Sequence, residues 1–574
     1  MRVAVSQFAT SSNIQENLAI CLRMIDSAAE CKPDLIVLPE FCNTYCYSTP
    51  PIGERLQYEN HNQVWDEAIS EHGLFIKSIA ERAKKHECFI TLNVTVKEDE
   101  QQSPQQSDIN SNISVVSCLI SSTGKLIQQN NKRLIVEDKS IFVSDSNEVA
   151  QVTTAPFGQL ALLNSNNAAR FNDSRQLANA GAQLLCQSTS TFLRDNSELY
   201  GAARSHENNL FIAIANKVSS FEVAAGNDDE LLDSSRLREY LANVCQSQII
   251  ACDGTVLAKM PHNKEGFIFA DIDLSIAGLS NKLRPDNTCM ISQMRPELYQ
   301  KLEGQPDLPL VKKIPETVNV AIFATYKADE FAIEDVCHYI ENNLSDIIQL
   351  PELFFVSDKS LTLEAQQRLR IEGLCEQLVV QVSAMLRPFQ YVCTSLILDG
   401  VHQAVLINQH GILARQPQLH ACQRYRWTKL GDEINIVELP LEQGTIKLSM
   451  LTADDANMPE LVDVVGSKNI HLLLVPFDIQ SSNEVESSLL AQAVEHKFCV
   501  VAATREKSFS RRTLTGNSND KTEKSTGFIA SFPKTRKLSS LLNSKKFDGY
   551  LDKPIVKQQY GKITKALIHP VLEN

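Results

Sequence analysis

The chain runs through one design twice. Residues 1–41, "MRVAVSQFATSSNIQENLAICLRMIDSAAECKPDLIVLPEF", set out a β-rich run, a helical pattern and an apolar strand ending in Pro-Glu and a hydrophobic residue. From Val318, "VNVAIFATYKADEFAIEDVCHYIENNLSDIIQLPELFF" retraces them in the same order. Further on, "AVLINQHGILARQ" echoes "VVSCLISSTGKLIQQ", and "QAVEHKFCVVAAT" echoes "ARSHENNLFIAIAN". A period of about half the chain is too long for a solenoid unit and implies two domains. Short β-rich runs alternate with helical patterns: "DLIVLPEF", a helix around "LFIKSIAERAKKHE", then "CFITLNVTV". That alternation predicts a layered α/β architecture.

The two copies are separated by "EGQPDLPLVKKIPE", residues 303–316, whose three prolines and lack of periodicity read as a linker. The expected domains are therefore 1–302 and 317–574. The polar stretch "KEDEQQSPQQSDINSN" reads as a surface loop. With 69 acidic against 55 basic residues, net −14, the chain is a poor match for nucleic acid or an anionic membrane surface, and neither is expected as a partner. "MRVAVSQFAT" enters a strand pattern at once, and no apolar run reaches the roughly eighteen residues a membrane span needs, so a cytoplasmic location is expected. The 15 cysteines are scattered, mostly in apolar stretches such as "VVSCLI", where they act as small hydrophobes rather than a disulfide framework. Cys42 and Cys46 in "FCNTYC" lack the second half of a zinc site. No metal and no cofactor is expected.

In the first half, "DLIVLPEF", "TGKLIQQNNKRL", "GQLALL" with "RQLANAGAQLL", "ARSHENNLFIAIANK", "EGFIFADIDL" and "RPELY" follow one another in an order that resembles the nitrilase, or carbon-nitrogen hydrolase, superfamily. With the repeat, the resemblance spans nearly the whole chain. It implies tandem four-layer αββα sandwiches, packed as an intrachain pseudo-dimer, and a Glu-Lys-Cys active site. In that chemistry a cysteine attacks an amide or nitrile carbon, a glutamate moves the protons, and a lysine ammonium stabilises the developing negative charge. By position the glutamate is Glu40 and the lysine Lys132. A second acidic residue falls at Glu137 or Asp138, and Glu207 sits on a helix that braces the site wall in relatives. The nucleophile position, spaced between Gly158 and Gly181, is Ser165 in Ser165-Asn166-Asn167, where the family has Cys-Tyr-Asp. A slip of one residue gives Asn166. Neither register supplies a thiol, and Cys186 lies at the end of the next strand. A serine hydroxyl holds its proton more tightly than a thiol, and glutamate is a weaker base than the histidine of serine hydrolases.

The second half departs further. Glu352 persists, Gln418 stands at the lysine position with His420 and Arg424 close by, and Ala453 replaces the cysteine while Asp455 survives. Without nucleophile or cation, this pocket is expected at most to bind. The run His420, Arg424, Tyr425, Arg426 and Trp427 in "LHACQRYRW" reads as a solvated face with one buried aromatic, against an anion or aromatic-ligand patch. Glu495 in "QAVEHK" falls at the same helix position as Glu207, and for both a bracing or surface role stands against substrate contact. Arg295, Pro296 and Tyr299 resemble the tail with which family members clasp a partner, here the second domain.

Two functions follow from these residues. One is a pseudo-enzyme with a binding, scaffolding or regulatory role, able to hold a small polar amide-like ligand. The other is an amidase acting through Ser165 with Glu40 and Lys132. A glutamine-dependent NAD-making enzyme is excluded, because its Ser-Gly-Gly pyrophosphate loop is absent after residue 317. Assembly beyond intrachain pairing, into a homo-oligomer, is left open.

Overall fold

The computed structural model describes residues 1–45, 65–97, 113–137, 140–144, 151–164, 170–190, 199–218, 246–261, 264–304, 313–315, 317–325, 327–478, 489–496, 498–504, 527–530, 555–557 and 563–567. The polar loop, apart from Lys97, and most of the linker read at 303–316 lie outside them. The chain gathers into two compact units, which divide between Lys282 and Leu283.

The first unit runs β1 (Arg2–Gln7), α1 (Ile14–Ala28), β2 (Leu35–Val37), α2 (Leu74–His86), β3 (Phe89–Lys97), β4 (Ile113–Ile120), β5 (Leu126–Glu137), β6 (Ser140–Ser144), β7 (Val152–Ala155), β8 (Gly158–Asn164), α3 (Phe171–Asn179), β9 (Leu184–Ser188), α4 (Gly201–Asn208), β10 (Phe211–Ala215), β11 (Gln248–Ile250), β12 (Val256–Lys259) and β13 (Gly266–Asp271). One sheet has the order β13-β1-β2-β3-β4-β5-β6, with the short strand Ile69–Ser70 beside β3. The other has the order β12-β11-β10-β9-β8-β7. The parallel strands β2 and β10 are wholly buried, which is why they read as unbroken apolar runs rather than alternating ones.

Local chemistry fixes the helices on the first sheet. Asn13 caps α1 by accepting from the backbone N–H groups of Gln15 and Glu16. Cys21, Met24, Ile25 and Ala28 then recur at helical spacing on its buried face. Asp26 of α1 takes Arg82 and Lys85 from α2, tying the two helices along their outer edge. Their inner faces share one core with Ile36, Leu38, Ile90 and Val116 of the sheet. A second core, built from Val3, Leu35, Leu160, Leu184 and Ala213, fills the space between the two sheets.

The second unit carries α5 (Pro296–Glu303), β14 (Thr317–Ile322), α6 (Asp329–Glu341), β15 (Ile347–Glu352), α7 (Ala365–Met385), β16 (Tyr391–Leu398), β17 (Val401–Asn408), β18 (Gly411–Pro417), β19 (Ile436–Leu441), β20 (Gly444–Met450), α8 (Ala453–Ala456), α9 (Pro459–Ser467), β21 (Leu472–Pro476), α10 (Leu490–His496), β22 (Cys499–Ala503), β23 (Gly527–Ala530), β24 (Ile555–Lys557) and β25 (Ile563–Leu567). Its sheets have the orders β18-β17-β16-β15-β14-β25 and β19-β20-β21-β22-β23-β24. Apart from β6 and the short strand Ile69–Ser70 of the first unit, the same pairings recur: an antiparallel edge, two parallel pairings at the centre, then antiparallel hairpins. Helices α6 and α7 cover one sheet, while Val320, Ile347, Leu448 and Leu472 pack between the two sheets. Each unit is therefore an α/β sandwich with helices outside paired sheets. Among the described residues, no helix is long and apolar enough to cross a membrane.

Candidate functional site

In the first unit Glu40 stands just past the carboxyl end of β2, where the chain turns sharply. Phe41 adopts a left-handed φ of 53°, and Asn93 holds the corner by accepting the Phe41 N–H at 2.9 Å and, through its carbonyl, the Cys42 N–H at 2.8 Å. Glu40 is 1% exposed, and the hydroxyl of Ser190 donates to its Oε2 at 2.8 Å. Lys132 is half-buried on β5, opposite Val115 of β4. The same sheet thus carries Glu40 and Lys132, with β3 and β4 between them. A second buried cation is close to the corner: Lys217 donates to the Thr44 carbonyl at 2.9 Å and lies 5.8 Å from the Phe41 ring centre.

The elbow that follows β8 contains Ser165, Asn166 and Asn167, all outside the described residues. Asp138 is outside them too, and of Glu137 only the backbone is described, paired with Ser140. Glu207 is buried on α4 and ion-paired to Arg204 one turn earlier, while Arg204 also lies over the rings of Phe171 and Tyr200. Cys186 lies in the apolar core between the sheets, where burial pushes its thiol up to about 12, so it carries no thiolate.

The second unit places its acid in the corresponding position, with Glu352 ending β15 at 0% exposure. The cation that the sequence reading found missing is present, from other positions. Arg424 Nη1 is 3.1 Å and Lys359 Nζ 3.6 Å from Glu352 Oε2, which also accepts the Tyr425 hydroxyl at 2.9 Å. Arg424 reaches Asp454 at 2.9 Å and bonds Asp478, which Lys359 meets at 2.8 Å. Arg284 donates to the Asp454 backbone carbonyl at 2.7 Å. The run around Arg424 and Tyr425, expected to be mostly a solvated face, is therefore turned inward here. Its side chains were legible as residue types, but no periodicity in a loop tells which way they point.

Gln418 follows β18 in the place corresponding to the lysine, and its amide is fully engaged. Its Oε1 meets His402 Nδ1 at 2.7 Å, and its Nε2 donates to the His420 carbonyl at 2.6 Å and to Cys422 Sγ at 3.3 Å. Ala453 is fully buried at the start of α8. Asp455 accepts the backbone N–H groups of Leu419 and His420, both at 2.9 Å, and the Thr452 hydroxyl at 2.8 Å. His420 spans Asp455 and Tyr299, with Nδ1 at 2.9 Å from the carboxylate and Nε2 at 2.7 Å from the hydroxyl. Asp455 thus ties the elbow to the loop after β18 and, through His420, to the tail helix α5.

Electrostatics agree with this geometry. Burial alone would lower the Arg424 pKa, but Glu352 and Asp454 outweigh it and hold the guanidinium charged. Burial, reinforced by Glu352, keeps the Tyr425 hydroxyl protonated. Burial would raise Asp454, yet Arg424 and Arg284 hold it below the usual carboxylate range. The Cys422 thiol is held protonated by burial and by Asp454. The cluster therefore offers ion pairs and hydrogen bonds, with a methyl at the aligned nucleophile position.

Residues 2–280 match the family described as carbon-nitrogen hydrolase. No curated protein matches significantly. Among solved structures, the chain is similar to an amidase from Nesterenkonia sp. at 16% identity, covering 52% of this chain and 95% of that one with a TM-score of 0.36. It is also similar to a cysteine-to-alanine mutant of the Nesterenkonia AN1 amidase from the nitrilase superfamily, at 18% identity over 48% of this chain and 90% of that one, with a TM-score of 0.34.

Proposed function

We propose that the protein, whose residues 2–280 match the carbon-nitrogen hydrolase family, is a tandem carbon-nitrogen hydrolase-like pseudo-enzyme. Its two nitrilase-like domains keep the scaffold and serve a binding, scaffolding or regulatory role. The observation that carries this reading is the second site. Ala453 offers a methyl where attack requires a thiolate, and the nearby carboxylate of Glu352 is engaged by Arg424 and Tyr425. In the first domain the aligned nucleophile is Ser165, with no cysteine in either register of the elbow.

A second reading is an amidase in the first domain, with Ser165 as nucleophile, Glu40 as proton carrier and Lys132 as the charge stabiliser. It is favoured by the buried Glu40 carboxylate, which already accepts a serine hydroxyl, that of Ser190. Ammonia release from a panel of short aliphatic amides, measured with the purified full chain, separates the two. The pseudo-enzyme reading expects no release above buffer. Turnover that Ser165→Ala abolishes and Ser165→Cys raises establishes the amidase instead, since a thiolate is the stronger nucleophile.

A further inference from the structure

Away from both sites, helices α9 and α10 of the second unit bring three metal-binding side chains together. Asp463 comes from the middle of α9, while Glu495 and His496 end α10. One donor atom from each lies within 4.8 Å of the others, and His496 Nε2 is 2.9 Å from Asp463 Oδ1. Neighbouring donors around a tetrahedral zinc ion stand about 3.3 Å apart, given metal–ligand bonds of about 2.0 Å. The His496 Nε2 to Asp463 Oδ1 separation of 2.9 Å is already of that order.

Two further features lie on the same pair of helices. Gln492 precedes Glu495 by three positions and His496 by four, so the three share one face of α10. Gln492 is 0% exposed, and among the described residues neither Oε1 nor Nε2 has a hydrogen-bond partner. On α9, one turn beyond Asp463, a Cβ on Gly466 would fall 2.4 Å from Cγ and 2.5 Å from Cδ2 of His496. Only glycine leaves room for the imidazole to lie against α9 and reach Asp463. The side chains of His496 and Asp463 remain 17% and 14% exposed, so an ion can enter.

We propose that Asp463, Glu495 and His496 form a binding site for a divalent transition-metal ion of the zinc class. Two carboxylates and a neutral imidazole balance a dication. The nitrogen donor favours zinc over magnesium and calcium, which take oxygen ligands. The bound ion pins α10 to α9, which makes the site structural. Sequence spacing hides it, because the ligands come from separate helices and form no short motif.

Metal-stripped full chain is titrated with zinc chloride by isothermal calorimetry, with magnesium and calcium chloride as parallel titrants. The wild-type chain takes up zinc at this site, and Glu495→Gln and His496→Gln each weaken that binding at least about tenfold. Glu495 is incompletely buried, so its variant remains informative if His496→Gln misfolds. Zinc binding unchanged in Glu495→Gln, no zinc uptake by the wild type, or equal affinity for magnesium overturns the site. Because the readout is binding, its failure is distinct from failure of the functional reading.

Discussion

Arg424 is held by three carboxylates, Glu352, Asp454 and Asp478, with its side chain only 17% exposed. Removing it strands buried acids rather than merely deleting a contact. Arg424→Met should lower stability by about 3–5 kcal/mol, the usual penalty for breaking a buried pair. The double variant Arg424→Met with Glu352→Gln should recover part of that. Urea unfolding of the full chain reads both, and a single-variant loss under about 1 kcal/mol would mark the cluster as surface-like. The buried histidines make a separate prediction. Burial holds His402 below the ordinary imidazole range, and burial with the nearby Lys447 holds His471 at about 4. The unfolded chain takes up these protons near pH 6.5, as for a free imidazole at about that value, while the folded chain does not. Their contribution to stability is therefore intact above about pH 6.5 and is lost progressively as pH falls toward 4. A urea midpoint that stays flat across that window in wild type, or falls no less steeply in His471→Gln, counts against this account.

At the scale of elements, two helical glycines should respond to alanine in opposite ways. Gly373 lies exposed on α7, and a Cβ there meets nothing within 4 Å. Gly373→Ala should stabilise the chain by about 0.5–1 kcal/mol, since the unfolded state loses freedom and the helix gains propensity. Gly466→Ala drives a methyl into the His496 ring and should destabilise by about 1–3 kcal/mol, the range for overpacking. Thermal unfolding of the two variants beside wild type tests the pair, and equal signs would refute the packing argument. Elements are also where the sequence was easiest to read. The apolar runs "DLIVLPEF" and "IIQLPELFF" predict strands, and the structure has β2 at Leu35–Val37 and β15 at Ile347–Glu352. Their different lengths were not legible, because strand ends depend on which neighbour supplies the hydrogen bonds.

At the scale of the whole molecule, the compact units divide after Lys282, so the segment carrying α5 groups with the second unit. Its anchors lie within that unit: Arg295 donates to the Leu419 and Gly431 carbonyls at 2.6 and 2.8 Å, and Tyr299 meets His420. A fragment beginning at residue 283 should therefore unfold several degrees above one beginning at residue 317, because only the longer piece keeps Arg284 on Asp454 and Tyr299 on His420. Equal melting temperatures would show that the tail adds nothing. By itself the sequence determined the alternation of strands and helices, an acid at the end of an apolar strand in each half, and an alanine and a serine at the aligned nucleophile positions, since periodicity and residue chemistry are local properties. Only the tertiary structure decided that Arg424 and Lys359 neutralise Glu352 and that Gln418 is spent on His402. Ion pairs and hydrogen bonds act through space, and these partners come from segments whose separation along the chain says nothing of their distance in the fold.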